Sequence, residues 1–459
     1  MKTSSVLSCV ILLQLYAAGA LSQTNVTRDH SPFCLGTEVL FDISAIEALY
    51  SHPDEILCNF DSLWTENSAY RLAVQYSRNN RVDPGLEEWK ERVRAIAALS
   101  EEERASQPAV VTSRGIKGLS TTLCEKGFPH ISSFLQPSAP PLKVTVYLIS
   151  DIKPAAFAYP GGILVNVNSP RFNSDPSVIM NIIVHEIYHG GYANTIAYRS
   201  DYDLQNEALD FVLDFLLNEG MATYVSFAAR HIFPNDFVPD YPKMENKEEV
   251  EASIERVDLL FRQAETLKID SLRRLAWQVG VIDRAFYIAG GYMAGLIDET
   301  LGREELVKAM SAGPLSFLTL YNSVADETMK LKVPELPDEI SPCQKLRLAL
   351  AKGDTTEYRR LANELVQNVG PAGEAVEKAL NRYGYMFMRS HGGIDEALEL
   401  FKLNVRLFPE SSRAWDSLGE GFMSAGNNDL AISHYEKSLA LNPSNENARR
   451  ILEKLRQQD

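Results

Sequence analysis

The stretch Val184-His185-Glu186-Ile187-Tyr188-His189 carries the chemistry that decides how this 459-residue chain is interpreted. On a helix, His185 and His189 are four positions apart and lie on one face, a turn apart, where both imidazoles can bind one metal ion. Glu186 lies beside that ion and can take a proton from a water held there. Neutral imidazoles suit Zn²⁺, so the stretch predicts a zinc site that needs a third protein ligand.

The segments just before this stretch predict a helix preceded by a small sheet. Pro176 fits the first helical turn, and Ser174 or Asp175 can cap it. The β-branched run at residues 143–149 predicts a strand, and residues 155–166 predict a tight Pro-Gly-Gly bend followed by a second strand. A strand ahead of the metal helix offers an edge for an extended peptide, and we expect the backbone of residues 163–167 to align it.

The ends and composition of the chain predict export and several domains. Lys2 followed by an apolar run predicts a signal peptide over residues 1–22, hence a secreted or periplasmic protein that is not integral to the membrane after cleavage. The net charge of -16 argues against nucleic acid as a partner. In an oxidising compartment, the four cysteines outside the signal can form two disulfides in three pairings: Cys34, Cys58, Cys124 and Cys343.

The C-terminal part of the chain has the spacing of a 34-residue tetratricopeptide repeat, and the match is strong over residues 412–445. The matching positions are Trp415, Leu418, Gly419, Phe422, Ala431, Tyr435 and Pro443. The repeat before it is degenerate. We therefore predict an N-terminal helical region over 23–140, a catalytic core over 141–330, a Pro-rich linker over 331–342 and an all-α tetratricopeptide module over 343–459, which can bind a protein partner.

The third metal ligand is predicted to be Glu219, within Asn218-Glu219-Gly220-Met221-Ala222-Thr223-Tyr224. This motif resembles the second-helix motif of gluzincin peptidases such as aminopeptidase N, in which the glutamate completes the zinc site. The resemblance implies a zincin-like α+β core, mostly helical, with a small sheet that has an antiparallel edge. Glu207 is nearer to the spacing usual in that family and is the alternative ligand, but it lacks the Gly-x-Ala context.

Two further motifs extend the resemblance over residues 143–319. The Ala-Phe-Ala-x-Pro-Gly-Gly segment is similar to that of endopeptidases related to HtpX and BepA. The stretch Tyr287-Ile288-Ala289-Gly290 resembles the Tyr-x-x-Gly segment of the aminopeptidase N group, whose tyrosine hydroxyl stabilises the oxyanion. Tyr287 is thus the expected oxyanion donor, and Tyr292 is the second choice. An inserted loop around residues 192–203 separates the chain from the aminopeptidases.

The chain departs from the aminopeptidases at the substrate edge as well. It lacks the glutamate with which those enzymes hold a free amine, because Gly161-Gly162 leads directly into Ile163. This disfavours an exopeptidase acting on amino termini and favours an endopeptidase with a peptide or protein substrate. The alternatives are a zinc hydrolase with another substrate, and a repeat-based chaperone or scaffold whose zinc domain is structural.

Overall fold

The computed structural model describes residues 38–58, 67–80, 86–136, 143–151, 155–159, 162–199, 207–332, 341–368, 373–390 and 392–456. The predicted signal peptide, most of the predicted linker and the Pro-Gly pair of the predicted bend lie outside these residues. The described chain is mostly helical with one four-stranded mixed sheet, so the predicted α+β class is confirmed.

The sheet has the strand order β1-β2-β4-β3. Strand β1 pairs in parallel with β2, β2 in parallel with β4, and β3 antiparallel with β4, which confirms the predicted antiparallel edge. The strands are β1 (Glu38–Asp42), β2 (Lys143–Ile149), β3 (Ala156–Tyr159) and β4 (Gly162–Asn166).

Strand β1 is one element that the predicted helical region over residues 23–140 did not include. Its five residues pair in register with β2, from Glu38 opposite Lys143 to Asp42 opposite Tyr147. A segment this short shows no clear period, so its conformation is decided by a partner about a hundred residues away. Helices follow β1 as predicted: α1 (Ser44–Ser51), α2 (Pro53–Cys58), α3 (Ser68–Asn80), α4 (Leu86–Ala97), α5 (Glu101–Ala105), α6 (Pro108–Gly118), α7 (Ser120–Thr122), a π-helical turn (Leu123–Gly127) and α8 (Phe128–Ser132).

The central helices surround the predicted zinc motif. Helices α9 and α10, which carry the predicted metal ligands, pack against each other, and α10 also packs along α14. The elements are α9 (Pro176–Ala193), a 3-10 turn (Ile196–Tyr198), α10 (Glu207–Ala228), a 3-10 turn (Ala229–His231), α11 (Asp240–Met244), α12 (Lys247–Ala264), α13 (Ile269–Ala276), a π-helical turn (Trp277–Ile282), α14 (Ala285–Leu301), α15 (Arg303–Ala312), α16 (Pro314–Val324) and a 3-10 turn (Glu327–Met329).

The C-terminal part consists of successive helices, and from α19 onward each packs on the next. They are α17 (Pro342–Ala351), α18 (Thr355–Asn368), α19 (Gly373–Arg389), α20 (Ile394–Leu407), α21 (Ser412–Ser424), α22 (Asn428–Leu441) and α23 (Glu446–Arg456). One hydrophobic core extends from Val39 to Leu331, and separate clusters form within residues 343–418 and 431–455. The tetratricopeptide assignment and the domain boundaries stay predictions.

Arg199 links the C-terminal helices to the two helices that carry the predicted ligands. Its guanidinium donates to Asp214 on α10 and to the Tyr192 hydroxyl on α9. Its backbone carbonyl accepts a hydrogen bond of 2.9 Å from Arg347 on α17. Arg199 and Arg347 are both buried, so these hydrogen bonds connect α9, α10 and α17 in the interior of the protein.

The cysteines correct one expectation. Cys124 is disulfide-bonded, whereas Cys58 is an exposed free thiol and Cys343 a buried one. Because two of the four cysteines are free thiols, these four cysteines form at most one disulfide among themselves, and not two. Within the described ranges, no helix combines the length and apolar character needed to cross a membrane.

Helices α10 and α14 touch through their backbones at two glycines. A Cβ atom added at Gly290 would lie 2.4 Å from the carbonyl oxygen of Leu216 and 2.7 Å from Cα of Gly220. A Cβ at Gly220 would lie 2.4 Å from Cα of Gly290. These distances are far below van der Waals contact, so the helices can approach this closely only because both positions lack a side chain.

Replacing Gly290 with alanine is therefore expected to force the two helices apart. We expect Gly290→Ala to lower the free energy of unfolding by about 1–3 kcal/mol, the usual cost of overpacking. Thermal unfolding followed by circular dichroism measures the effect. Gly118→Ala is the matched control, because an added Cβ there meets nothing within 4 Å. Equal melting temperatures for the two variants would contradict the close-contact argument.

Candidate metal centre

Helix α9 begins where the sequence predicts. Asp175 is the N-cap, and its carboxylate accepts hydrogen bonds from the backbone N–H groups of Ser177 at 2.7 Å and Val178 at 3.4 Å. Pro176 occupies the first helical turn. Because capping satisfies N–H groups that have no partner within the helix, the cap fixes the register of α9 and the face on which its histidines lie.

Three potential ligand atoms converge between α9 and α10. Nε2 of His185 and Nε2 of His189 are 3.1 Å apart, and they lie 3.6 Å and 3.5 Å from Oε2 of Glu219. Ligands held about 2.0–2.1 Å from a tetrahedral zinc ion are separated by about 3.3 Å. The three side chains therefore fit one face of a zinc coordination tetrahedron, and two imidazoles with one carboxylate are ligands that suit zinc.

Glu207, the alternative third ligand, starts α10 and lies twelve positions before Glu219 on the same helix. At a rise of 1.5 Å per residue, the two backbone positions are about 18 Å apart along the helix axis. The structure thus brings Glu219, and not the backbone of Glu207, to the two histidines.

Charge complementarity stabilises the close approach of these three groups. Burial opposes the ionisation of Glu219, yet His189 and His185 hold the pKa of its carboxyl well below the usual range through charge and hydrogen bonding. Burial likewise disfavours a charged His189, but the Glu219 carboxylate raises the pKa of His189 to about 9. The proton of this pair therefore resides on His189, beside the ionised Glu219 carboxylate.

Asn218 orients one of the ligands. Its side-chain oxygen lies 3.0 Å from Nδ1 of His189. The amide oxygen can only accept, so this contact places a proton on Nδ1 and directs Nε2 toward the cluster. Asn218 stands beside Glu219 in the sequence, but the motif by itself did not identify this role.

The predicted catalytic side chains border the same cluster. The ring of Tyr287 stacks nearly parallel to that of His185, at 9° and 6.2 Å between centroids. Burial and the charge of Glu219 raise the pKa of Tyr287 well above its ordinary value, so its hydroxyl is protonated at neutral pH and can donate. Glu186 is half-buried, and its charge acts on both Tyr287 and His189.

Tyr292 lies elsewhere on α14. Five residues beyond Tyr287, it is rotated by about 140° around the helix. Burial and the charges of Asp326, Glu299 and Glu251 raise the pKa of Tyr292, and none of these carboxylates belongs to the metal cluster. The structure thus brings the first-choice tyrosine, and not the second, to the histidines.

The predicted substrate edge is wrong by one strand. The backbone of β4, from which residues 163–167 were expected to align a peptide, is paired with β2 on one side and β3 on the other. The outer strand is β3, which packs beside α9 and pairs only with β4 in the described part of the sheet. The Pro-Gly-Gly pattern indicated a bend, but pairing with the distant β2 decided which strand lies outside.

A buried polar network that the sequence did not predict fastens α9 to α10 one turn before His185. The side chain of Asn181 donates to the Ser226 carbonyl at 2.7 Å and accepts from the Tyr241 hydroxyl at 2.7 Å and from Asn235 at 2.9 Å. Buried polar groups are costly unless paired, so this fully connected network favours one arrangement of the helices.

Residues 120–329 match the model of a protein family described as "Putative zinc dependent peptidase (DUF5700)". No curated protein matches the chain. The matched residues include α9, α10 and α14, so the similarity covers the whole metal cluster. Together with the His-His-Glu group, it supports a zinc peptidase.

The third ligand is tested by zinc content. We expect Glu219→Ala to reduce bound zinc from about one ion per chain to well below half, because it removes the only carboxylate of the described ligand group. Glu207→Ala, on the same helix, is the matched control and should retain zinc. Metal analysis after dialysis against a weak chelator gives the stoichiometry, and loss of zinc from the Glu207 variant alone would refute the assignment.

Zinc binding should release a proton at neutral pH. Because the pKa of His189 is about 9, its ring is protonated at pH 7.5 in the metal-free protein. A metal-binding imidazole must be neutral, so binding displaces about one proton and affinity rises with pH up to about 9. Calorimetric titration in buffers of different ionisation enthalpy counts the protons, and a heat independent of the buffer would contradict this expectation.

Proposed function

We propose that this chain is a zinc-dependent endopeptidase of the gluzincin type. The observation that carries the proposal is the convergence of His185, His189 and Glu219 to separations of 3.1–3.6 Å, with Tyr287 stacked beside them. The family match over residues 120–329 supports the peptidase chemistry. The Asn-Glu-Gly-x-Ala context of Glu219 supports the gluzincin assignment.

The side chains of the cluster supply the remaining roles. Zinc bound by His185, His189 and Glu219 would act as a Lewis acid toward a carbonyl and make a water more acidic. Glu186 accepts a proton from the attacking water and passes it to the amine that leaves when the peptide bond breaks. The Tyr287 hydroxyl donates to the oxygen on which negative charge develops.

The outer edge of β3 is the proposed place for the substrate backbone. An extended peptide can add to an exposed strand through main-chain hydrogen bonds, and β3 packs beside the helix that carries the two histidines. Backbone pairing selects no chain terminus, and the sequence near β4 lacks an amine-binding glutamate. Both points favour cleavage within a chain over trimming of amino termini.

We further propose that the enzyme is secreted or periplasmic and that residues 343–459 form a tetratricopeptide module that binds a protein partner. The signal-peptide pattern of residues 1–22 and the disulfide at Cys124 support export. The successive packing of helices α19 to α23 supports the repeat assignment.

Two alternatives share parts of this evidence. A zinc hydrolase with another substrate would use the same ligands, and a chaperone or scaffold would use the repeats while the metal is structural. Chelator-sensitive cleavage of casein separates them. The proposed enzyme cuts casein only when metal is present, a scaffold binds it without cutting, and a different hydrolase does neither.

The general base is tested by Glu186→Gln. We expect this variant to bind about one zinc ion per chain but to cleave casein about 10²–10⁴-fold more slowly, because the amide cannot accept the proton. Zinc analysis and initial cleavage rates measure the two properties. Glu91→Gln, an exposed change on α4, is the control and should match the unaltered protein. Loss of zinc from the Glu186 variant, or an unchanged cleavage rate, would contradict the role of Glu186 as the general base.

A further inference from the structure

Arg284 has an unusual backbone directly before the helix that carries Tyr287. It adopts φ 67°, in the left-handed region, as the N-cap of α14. This conformation is unfavourable for a residue with a Cβ, and such strain persists only where surrounding contacts enforce it. The contacts of the side chain identify what enforces it.

Asp240 holds the guanidinium of Arg284 with two-pronged geometry. Nη2 lies 2.6 Å from Oδ2 of Asp240, and Nε lies 3.0 Å and 3.2 Å from its two carboxylate oxygens. The Asp240 side chain is 2% exposed and that of Arg284 is 34% exposed. A buried carboxylate needs such a partner, so the pair fixes the plane and position of the guanidinium.

The helix that supplies Asp240 is anchored to the metal-binding helices. The hydroxyl of Tyr241, the next residue, donates to the side-chain oxygen of Asn181 on α9 at 2.7 Å and lies 3.0 Å from the hydroxyl oxygen of Ser226 on α10. These contacts of Tyr241 therefore hold the Asp240 carboxylate in a fixed position relative to the two helices that carry the histidines and Glu219.

The guanidinium in turn covers the phenol. The central carbon of Arg284 lies 3.1 Å from the centroid of the Tyr287 ring, and the ring also stacks with His185. A cation over an aromatic face is attracted to it, most strongly where water is excluded, and Tyr287 is buried. The Tyr287 ring thus contacts the Arg284 guanidinium, which Asp240 holds in place, and the His185 ring, which α9 holds in place.

We propose that Arg284, fixed by Asp240, is a positioning residue that holds the Tyr287 ring so that its hydroxyl faces the metal cluster. This inference rests on the proposed function, in which that hydroxyl meets the developing oxyanion. A hydroxyl displaced by about 1 Å loses much of its effect in the transition state, so the contacts that keep Arg284 in its unfavourable backbone conformation also keep the ring in one position.

The molecule contains a matched control at the other end of α14. Arg303 donates to Asp298 through Nε and Nη2, at 2.5–3.1 Å, and its central carbon lies 3.3 Å from the centroid of the Phe134 ring. Its side chain is also 34% exposed. Arg303 thus repeats the Arg-Asp-aromatic arrangement around Asp298, which lies about 17 Å from Tyr287 along the axis of α14, where a purely structural role is expected.

The kinetic test is a double-mutant cycle. We expect Arg284→Met to lower kcat for a fluorogenic peptide at least tenfold with KM within twofold and zinc content unchanged, and Arg303→Met to leave kcat unchanged. Arg284→Lys, which keeps the charge but not the fork, should lie between Arg284→Met and the unaltered protein and remains informative if Arg284→Met does not fold. In a Tyr287→Phe background, Arg284→Met should cause no further loss, because its effect passes through the hydroxyl.

A separate readout needs no activity. With 3-fluorotyrosine at position 287 of the full-length, metal-free protein, the fluorine resonance should shift or broaden on Arg284→Met and not on Arg303→Met. Three results for Arg284→Met would overturn the inference: an unchanged fluorine resonance, a rise in KM with no change in kcat, or a loss of kcat that is as large in the Tyr287→Phe background as with Tyr287 present. Failure of the unaltered protein to cleave any peptide would instead remove the proposed function, and the fluorine signal would still decide whether Arg284 positions the ring.

Discussion

The backbone contact between Gly220 and Gly290 is the constraint on which the rest of the site depends. Glu219 precedes the first glycine by one residue, and Tyr287 precedes the second by less than one helical turn. Since helices with ordinary side chains at their contact pack 8–10 Å apart, side chains at these two positions would separate the carboxylate from the phenol. The glycines therefore act by allowing α10 and α14 to approach closely, which keeps Glu219 near Tyr287. Both glycines lie within the sequence motifs around these two residues.

Polar contacts complete what this helix contact begins. Asn181 fastens α9 to α10 in the interior, and the short helix α11 joins them to the start of α14 through Tyr241 and Asp240. Hydrogen bonds in a water-excluded interior depend steeply on geometry, and unpaired groups there are costly, so the network selects one relative placement of the four helices. Hydrophobic burial alone would tolerate sliding.

The C-terminal helices are connected to the same framework. Arg199 binds both ligand-bearing helices through its side chain and accepts from Arg347 through its carbonyl. Nη1 of Arg382 on α19 also lies 3.9 Å from Oδ2 of Asp210 on α10. The C-terminal helices therefore contact both α10, which carries Glu219, and Arg199, which binds α9 and α10.

The sequence by itself determined the features that depend on local periodicity. The spacing of His185 and His189, the cap at Asp175 and the motifs around Glu219 and Tyr287 could be read because a helix places such residues at fixed angles. Only the tertiary structure decided that residues 38–42 form a strand, that β3 is the outer edge of the described sheet, and that Arg284 covers Tyr287. Each of these depends on a partner distant in the chain, as Arg284 does on Asp240, and no local pattern encodes such a pairing.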